Sequence, residues 1–314
     1  CSSDLNIKRN ITVIQGDSAT GKTTLVEYLN LYSQRGEKSG VRVESDVRCV
    51  VYSGASDLWV NILEGINNSI VFVDEDYDFV FTKEFADYIK NTGNYYVIIT
   101  RRPLYYLPYS INEIYGIRTS GKYHFPEKVY QELYPLYDEG IEKVNPDTNR
   151  ILIVEDSKAG FQFYKSIVDK TICISAEGNS NIYSEILRSD SNSVLTIIAD
   201  GAAFGAFIEK VHMLLDSRGN ATLYMPESFE WLILKSGVLD IYGIDAILEH
   251  PEDYIESSEF FSWERFFTKC LEDATSQDDY KRYSKNKLPK YYTTDGCKEK
   301  ILDTIPEEVR RGMM

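Results

Sequence analysis

The sequence predicts an α/β protein with a parallel-sheet first domain, a second α/β domain and a mainly helical C-terminal tail. Three observations support this. Short apolar runs end in glycine or acids at 11–16, 69–75 and 150–156; helical patterns follow the first and last of them; and the alternation restarts at Arg150, just after the linker-like residues Gly140, Asn145, Pro146 and Asp147. A chain of 314 residues is long for one average core, so the expected domains are 1–145 and 146–250, followed by a tail over 251–314.

The first element, Ile11-Thr-Val-Ile-Gln-Gly16, reads as a short buried strand. It runs into Gly16, Asp17, Ser18, Ala19, Thr20, Gly21, Lys22, Thr23 and Thr24, and then into the helical pattern Leu25, Val26, Leu29. The order is strand, glycine loop, helix, with the spacing G-x-x-x-x-G-K-T, and it resembles the P-loop of nucleoside-triphosphate-binding proteins. In such a loop the glycines let backbone N–H groups close around phosphates, the lysine reaches the outer phosphates and the threonine hydroxyl ligates magnesium. The resemblance implies ATP and Mg2+ as cofactors, with Gly16 to Thr24 as the cradle, Lys22 on phosphate and Thr23 on the metal.

Next, Ser69-Ile-Val-Phe-Val-Asp74-Glu75 has the form of a fully buried parallel strand closed by two acids. Beside a phosphate loop, Asp74 suits magnesium and Glu75 suits polarising the attacking water. The strand Tyr95-Tyr-Val-Ile-Ile-Thr100 leads into Arg101 and Arg102; Thr100 resembles a sensor of the outer phosphate, and either arginine suits charge on a transferring phosphoryl group. The turn-rich stretch 105–125 and an expected helix over 127–139 complete this half. It is similar to the additional-strand class of P-loop ATPases, in which another strand lies between the loop strand and the acidic one. A small-molecule kinase using Glu44-Ser45-Asp46 is an alternative, although no arginine-rich lid follows, and no L-S-G-G-Q segment of transporter ATPases is present.

In the second half, Ile151-Leu-Ile-Val-Glu155-Asp156 is another buried strand ending in acids. A helix is expected over 159–168, a strand over 170–175, a glycine turn Ala-Glu-Gly178-Asn-Ser-Asn181, a helix over 182–188 and a strand ending at Asp200. Acids closing parallel strands converge at the carboxyl edge of an open sheet. This stretch resembles a Toprim module as found in the overcoming-lysogenization-defect family, where a P-loop ATPase is joined to a metal-dependent nuclease. Glu155 and Asp200 have that module's separation, and Pro226-Glu227-Ser-Phe-Glu230 resembles its later acidic helix. The resemblance implies a magnesium site built from Glu155, Asp156, Asp200, Glu227 and Glu230, since hard cations take oxygen ligands. Two positions depart from the pattern: Ala202 stands where a second Asp belongs, and Asp156 where Gly usually follows the Glu. Either Asp156 replaces the lost ligand or the module is a scaffold that no longer cuts.

In the tail, Phe260 to Phe267 begins an amphipathic helix, and 280–300 mixes lysines with Tyr283, Tyr291 and Tyr292; these aromatics are read as packing on the domain rather than stacking on single-stranded nucleic acid. The net charge of −15 argues against a broad duplex-binding surface. Five scattered cysteines and three histidines offer neither a disulfide framework nor a zinc site. No apolar run is long enough to span a bilayer, so a cytoplasmic protein without a membrane partner is expected. The whole chain is also similar to uncharacterised ATP-binding proteins of Gram-positive mobile elements. The expected function is magnesium-dependent ATP hydrolysis controlling the Toprim-like domain in nucleic-acid processing or mobile-element defence. The alternative is an ATP-dependent sensor or scaffold that binds a protein partner without nuclease activity; oligomeric state stays open.

Overall fold

The computed structural model describes residues 5–16, 22–120, 130–137, 149–255 and 259–314. The chain divides into two compact units, the first comprising 1–138 with 256–261 and the second 139–255 with 262–314. The linker expected around 140–149 lies almost wholly outside the described residues.

Unit 1 is built on a six-stranded sheet. Its strands are β1 (Ile11–Ile14), β2 (Arg48–Val51), β3 (Ser69–Val73), β4 (Tyr95–Ile99), β5 (Ile114–Ser120) and β6 (Tyr130–Pro135), in the order β2-β3-β4-β1-β5-β6. All pairings are parallel except β5 with β6. Every residue of β1 is buried, the polar Thr12 included, as expected of a mainly apolar strand covered on both faces. Helices α1 (Lys22–Arg35), α2 (Trp59–Glu64) and α3 (Lys83–Ile89) follow β1, β2 and β3 respectively. Thr82 caps α3, its hydroxyl accepting from the Phe85 amide at 3.2 Å.

The helix expected over 127–139 is not formed. Residues 130–135 are β6, paired antiparallel with β5 so that Leu133 faces Ile117 and joins its core cluster. Two features favour the strand: Pro135 would break a helix interior, and the edge of an otherwise parallel sheet accepts an antiparallel strand.

Unit 2 carries a second, fully parallel sheet of β7 (Arg150–Val154), β8 (Ile172–Ser175), β9 (Val194–Ile198) and β10 (Ala221–Tyr224), in the order β10-β9-β7-β8. Around it lie α4 (Ala159–Ile167), α5 (Asn179–Arg188), α6 (Gly205–Asp216), α7 (Phe229–Lys235), α8 (Ile244–Glu249), α9 (Trp263–Thr275), α10 (Asp295–Asp303) and α11 (Glu307–Met313). The last three belong to this unit's core: Phe267, Leu271, Ile301, Val309 and Met313 are fully buried, and α11 packs against β7, β9 and β10. Tyr283 and Tyr292 are buried as well. Among the described residues no helix is long and apolar enough to cross a membrane.

Candidate functional site

In unit 1 the strand order places β4 between β1 and β3. The ends of these three strands therefore share one carboxyl edge, where Gly16, Asp74 and Thr100 follow β1, β3 and β4. Gly16 has a φ of 146°, a conformation that side chains rarely adopt, so the chain leaves β1 through a turn only glycine takes comfortably. Asp17, Ser18, Ala19, Thr20, Gly21 and the side chain of Thr23 lie outside the described residues. Lys22 opens α1, is buried, and its Nζ donates to the Gly16 carbonyl oxygen at 2.5 Å. Thr24 follows in the first turn of α1. The lysine thus reaches back to the residue that follows the end of β1.

Asp74 sits at the end of β3, its Oδ1 accepting from the Glu75 amide at 2.8 Å. Burial raises its pKa, and the nearby acids Asp76 and Glu75 add to this, while the positive charge of Lys22 acts the other way. Lys22 and Asp74 therefore feel one another across the strand ends. Glu75 is held by Arg101: Nε donates to Oε2 at 2.9 Å and Nη2 to Oε1 at 2.7 Å. Arg102 instead turns to Asp78 and lies over the Phe81 ring, 3.8 Å from its centroid. The Thr100 hydroxyl closes a turn, donating to the Arg102 carbonyl at 3.0 Å and accepting from the Arg102 amide at 2.9 Å. A cavity of about 860 Å³ beside α1, lined by both apolar and polar side chains, among them Leu25, Leu29, Arg42, Glu44 and Phe72, contains none of these residues and is separate from this edge.

In unit 2, β7 and β9 are neighbours in register, Val154 opposite Ile198. Glu155 and Asp200 consequently meet, and the Asp200 amide donates to Glu155 Oε2 at 2.8 Å. Glu230, on the first turn of α7, is buried, and its Oε1 accepts from the Tyr283 hydroxyl at 2.7 Å. Lys285 Nζ lies 4.0 Å from the same oxygen and bonds directly to Glu264 at the start of α9. Burial drives the pKa of Glu155 up to about 7 and that of Asp200 well above the ordinary range, with Glu264 and the other acids adding to both shifts and Lys285 opposing them. Burial also raises Glu230, against the pull of Lys285 and Tyr283.

No family model matches this chain, and no curated protein matches it.

The remaining expected ligands of the second site are placed differently. Asp156 turns to the start of α4, where Oδ1 accepts from the Lys158 amide at 2.9 Å and Oδ2 from the Gly160 amide at 2.7 Å. Those bonds satisfy amides that a helix start leaves orphaned. Glu227 precedes α7 and is only half-buried; the Ala202 amide bonds its main-chain oxygen at 3.4 Å. Among the described residues no three His, Cys, Asp or Glu side chains are arranged to hold a metal. Sequence reasoning missed Glu264 and Lys285, because the pattern of an amphipathic helix and a lysine-tyrosine segment does not reveal which distant carboxylates they meet.

Proposed function

We propose that unit 1 binds a nucleoside triphosphate with magnesium and hydrolyses it, with ATP as the expected substrate. The observation that carries this reading is the shared edge: Lys22 at the start of α1 and Asp74 at the end of β3, on strands separated by β4. That arrangement suits a phosphate cradle, because a helix N-terminus and a lysine supply positive charge while a carboxylate on the adjacent edge supplies a hard metal ligand. The donor set fits magnesium-bound triphosphate.

In this reading Lys22 would leave the Gly16 carbonyl for the outer phosphates, Asp74 and Thr23 would hold magnesium, and Glu75 would orient the attacking water. Bound magnesium neutralises charge on the phosphates. Arg101 holds both oxygens of Glu75 and so fixes the direction of its carboxylate. Thr100 supports the turn that presents Arg101. Hydrolysis is favoured over phosphoryl transfer because Glu75, adjacent to the metal ligand, is placed to work on water.

For unit 2, the alternative of a Toprim-derived scaffold is favoured over a working nuclease. The observation is the Lys285 ammonium beside Glu230 and Glu264, in a cluster that the resemblance would reserve for magnesium; the residues present do not fit that metal. The whole is then an ATPase whose nucleotide state is read by a protein partner. The test is phosphate release from magnesium-ATP: wild type should turn over, and Glu75→Gln should keep ATP affinity while slowing release by about 10²-fold or more. Equal turnover by the variant would overturn the assignment of Glu75.

A further inference from the structure

We infer that the carboxylate cluster of unit 2 is closed by an internal cation, the Lys285 ammonium standing between Glu230 and Glu264, so that this edge of the sheet takes no divalent metal while the lysine is in place. The contacts are specific. Nζ bonds to Glu264 Oε1 and lies 4.0 Å from Glu230 Oε1. Glu230 is 2% exposed, and Tyr283 donates to the oxygen that faces the lysine.

The lysine is not a loose surface arm. Its carbonyl accepts from the Ala159 amide at 3.0 Å. On either side, the Tyr283 amide donates to Thr275 Oγ1 at 2.9 Å, Gln162 Nε2 donates to the Asn286 carbonyl at 3.2 Å, and the Leu288 amide donates to Gln162 Oε1 at 3.0 Å. The segment 283–288 is thereby strapped to α4 and α9, which fixes the ammonium over the carboxylates. A divalent ion entering this cluster would meet a fixed like charge and would have to expel it.

The test uses full-length protein without nucleotide, carrying Asp74→Ala so that unit 1 contributes no metal site, and is independent of whether unit 1 hydrolyses ATP. Manganese is titrated by the paramagnetic signal of the free ion and by melting temperature. With Lys285 intact, neither readout should show a site; Lys285→Met should acquire one, with affinity at least about tenfold tighter and a rise in melting temperature, because the same carboxylates are then uncompensated. Lys285→Arg, which keeps the charge, should stay silent. Metal binding with Lys285 intact that Glu230→Gln abolishes would overturn the inference, as would a folded Lys285→Met protein that gains nothing. Should Lys285→Met fail to fold, acetylation read by mass spectrometry on the unsubstituted chain decides. Lys285 should react more slowly than the exposed Lys269, with and without manganese; acceleration by manganese would show that the ion displaces it and would contradict the inference.

Discussion

Arg101 grips both carboxylate oxygens of Glu75, at 2.7 and 2.9 Å, across the ends of β4 and β3. The pair is partly exposed, with the two side chains 50% and 28% accessible, so its contribution to folding is at most about 1 kcal/mol. Its consequence lies in orientation: a two-point grip fixes the plane of the carboxylate that would face an attacking water. Arg101→Ala should therefore leave the melting temperature nearly unchanged and lower the rate of ATP hydrolysis. In a Glu75→Gln background the same change should slow the reaction no further. A second, multiplicative loss in the double variant would show that Arg101 acts on the phosphates themselves.

Magnesium dependence isolates Asp74. Replacing it with Asn preserves the acceptor for the Glu75 amide but removes the charge that holds the ion. Asp74→Asn should raise the magnesium needed for half-maximal hydrolysis by about tenfold or more, with the fold intact by circular dichroism. An unchanged magnesium profile would place the metal ligand elsewhere.

Acidity should stabilise unit 2 in the presence of a chelator. Glu155 has an ordinary value of 4.5 and is pushed up to about 7 by burial, so the folded state holds its proton more tightly than the unfolded chain. The resulting stability is fully present below about pH 4.5 and is lost as pH rises through about 7, an effect on the order of 3 kcal/mol. Asp200 shifts in the same direction. Urea unfolding between pH 5 and 8 should show this decline, and Glu155→Gln, whose amide oxygen still accepts from Asp200, should flatten it. A decline that the variant leaves intact would assign the titration to another group.

Helix α11 is tested by one atom. A Cβ on Gly312 would lie 2.5 Å from Thr196 Oγ1 on β9, so Gly312→Ala should cost about 1–3 kcal/mol in chemical denaturation. Adding Thr196→Ala should recover part of that loss. If Gly312→Ala alone is neutral, the C-terminal helix is not seated on the sheet as described.

The elements that were legible from the sequence are those whose burial leaves a strong pattern. The runs at Ile11, Ser69, Tyr95, Ile151 and Val194 are predominantly apolar because both faces of their strands are covered, and the structure places β1, β3, β4, β7 and β9 there. Strands β2 and β10 were not legible: Arg48-Cys-Val-Val51 is an edge strand only partly buried, and Ala221-Thr-Leu-Tyr224 is short and alternating. The stretch 127–139 misled because Glu, Lys and Gln favour helices while the pairing with β5 that fixes β6 is a tertiary fact. The meeting of Glu155 with Asp200 was legible from parallel topology, since acids closing neighbouring strands must converge. Lys285 was not, because nothing local to Tyr283 or Leu288 states that this segment crosses the carboxyl edge of a sheet that begins at residue 150.

The most direct test of the central claim is calorimetric titration of magnesium-ATP into wild type and Lys22→Ala. Lys22 is buried, with its ammonium on the Gly16 carbonyl, and the account assigns that charge to the outer phosphates once nucleotide arrives. Wild type should bind one ATP per chain, and Lys22→Ala, checked for an intact fold by circular dichroism, should lose affinity by about 10²-fold or more, as expected when a charge-assisted phosphate contact is removed from a partly buried site. Equal, tight binding by the folded variant, or no binding by wild type, would contradict the claim that the edge formed by Gly16, Lys22 and Asp74 is a nucleotide site.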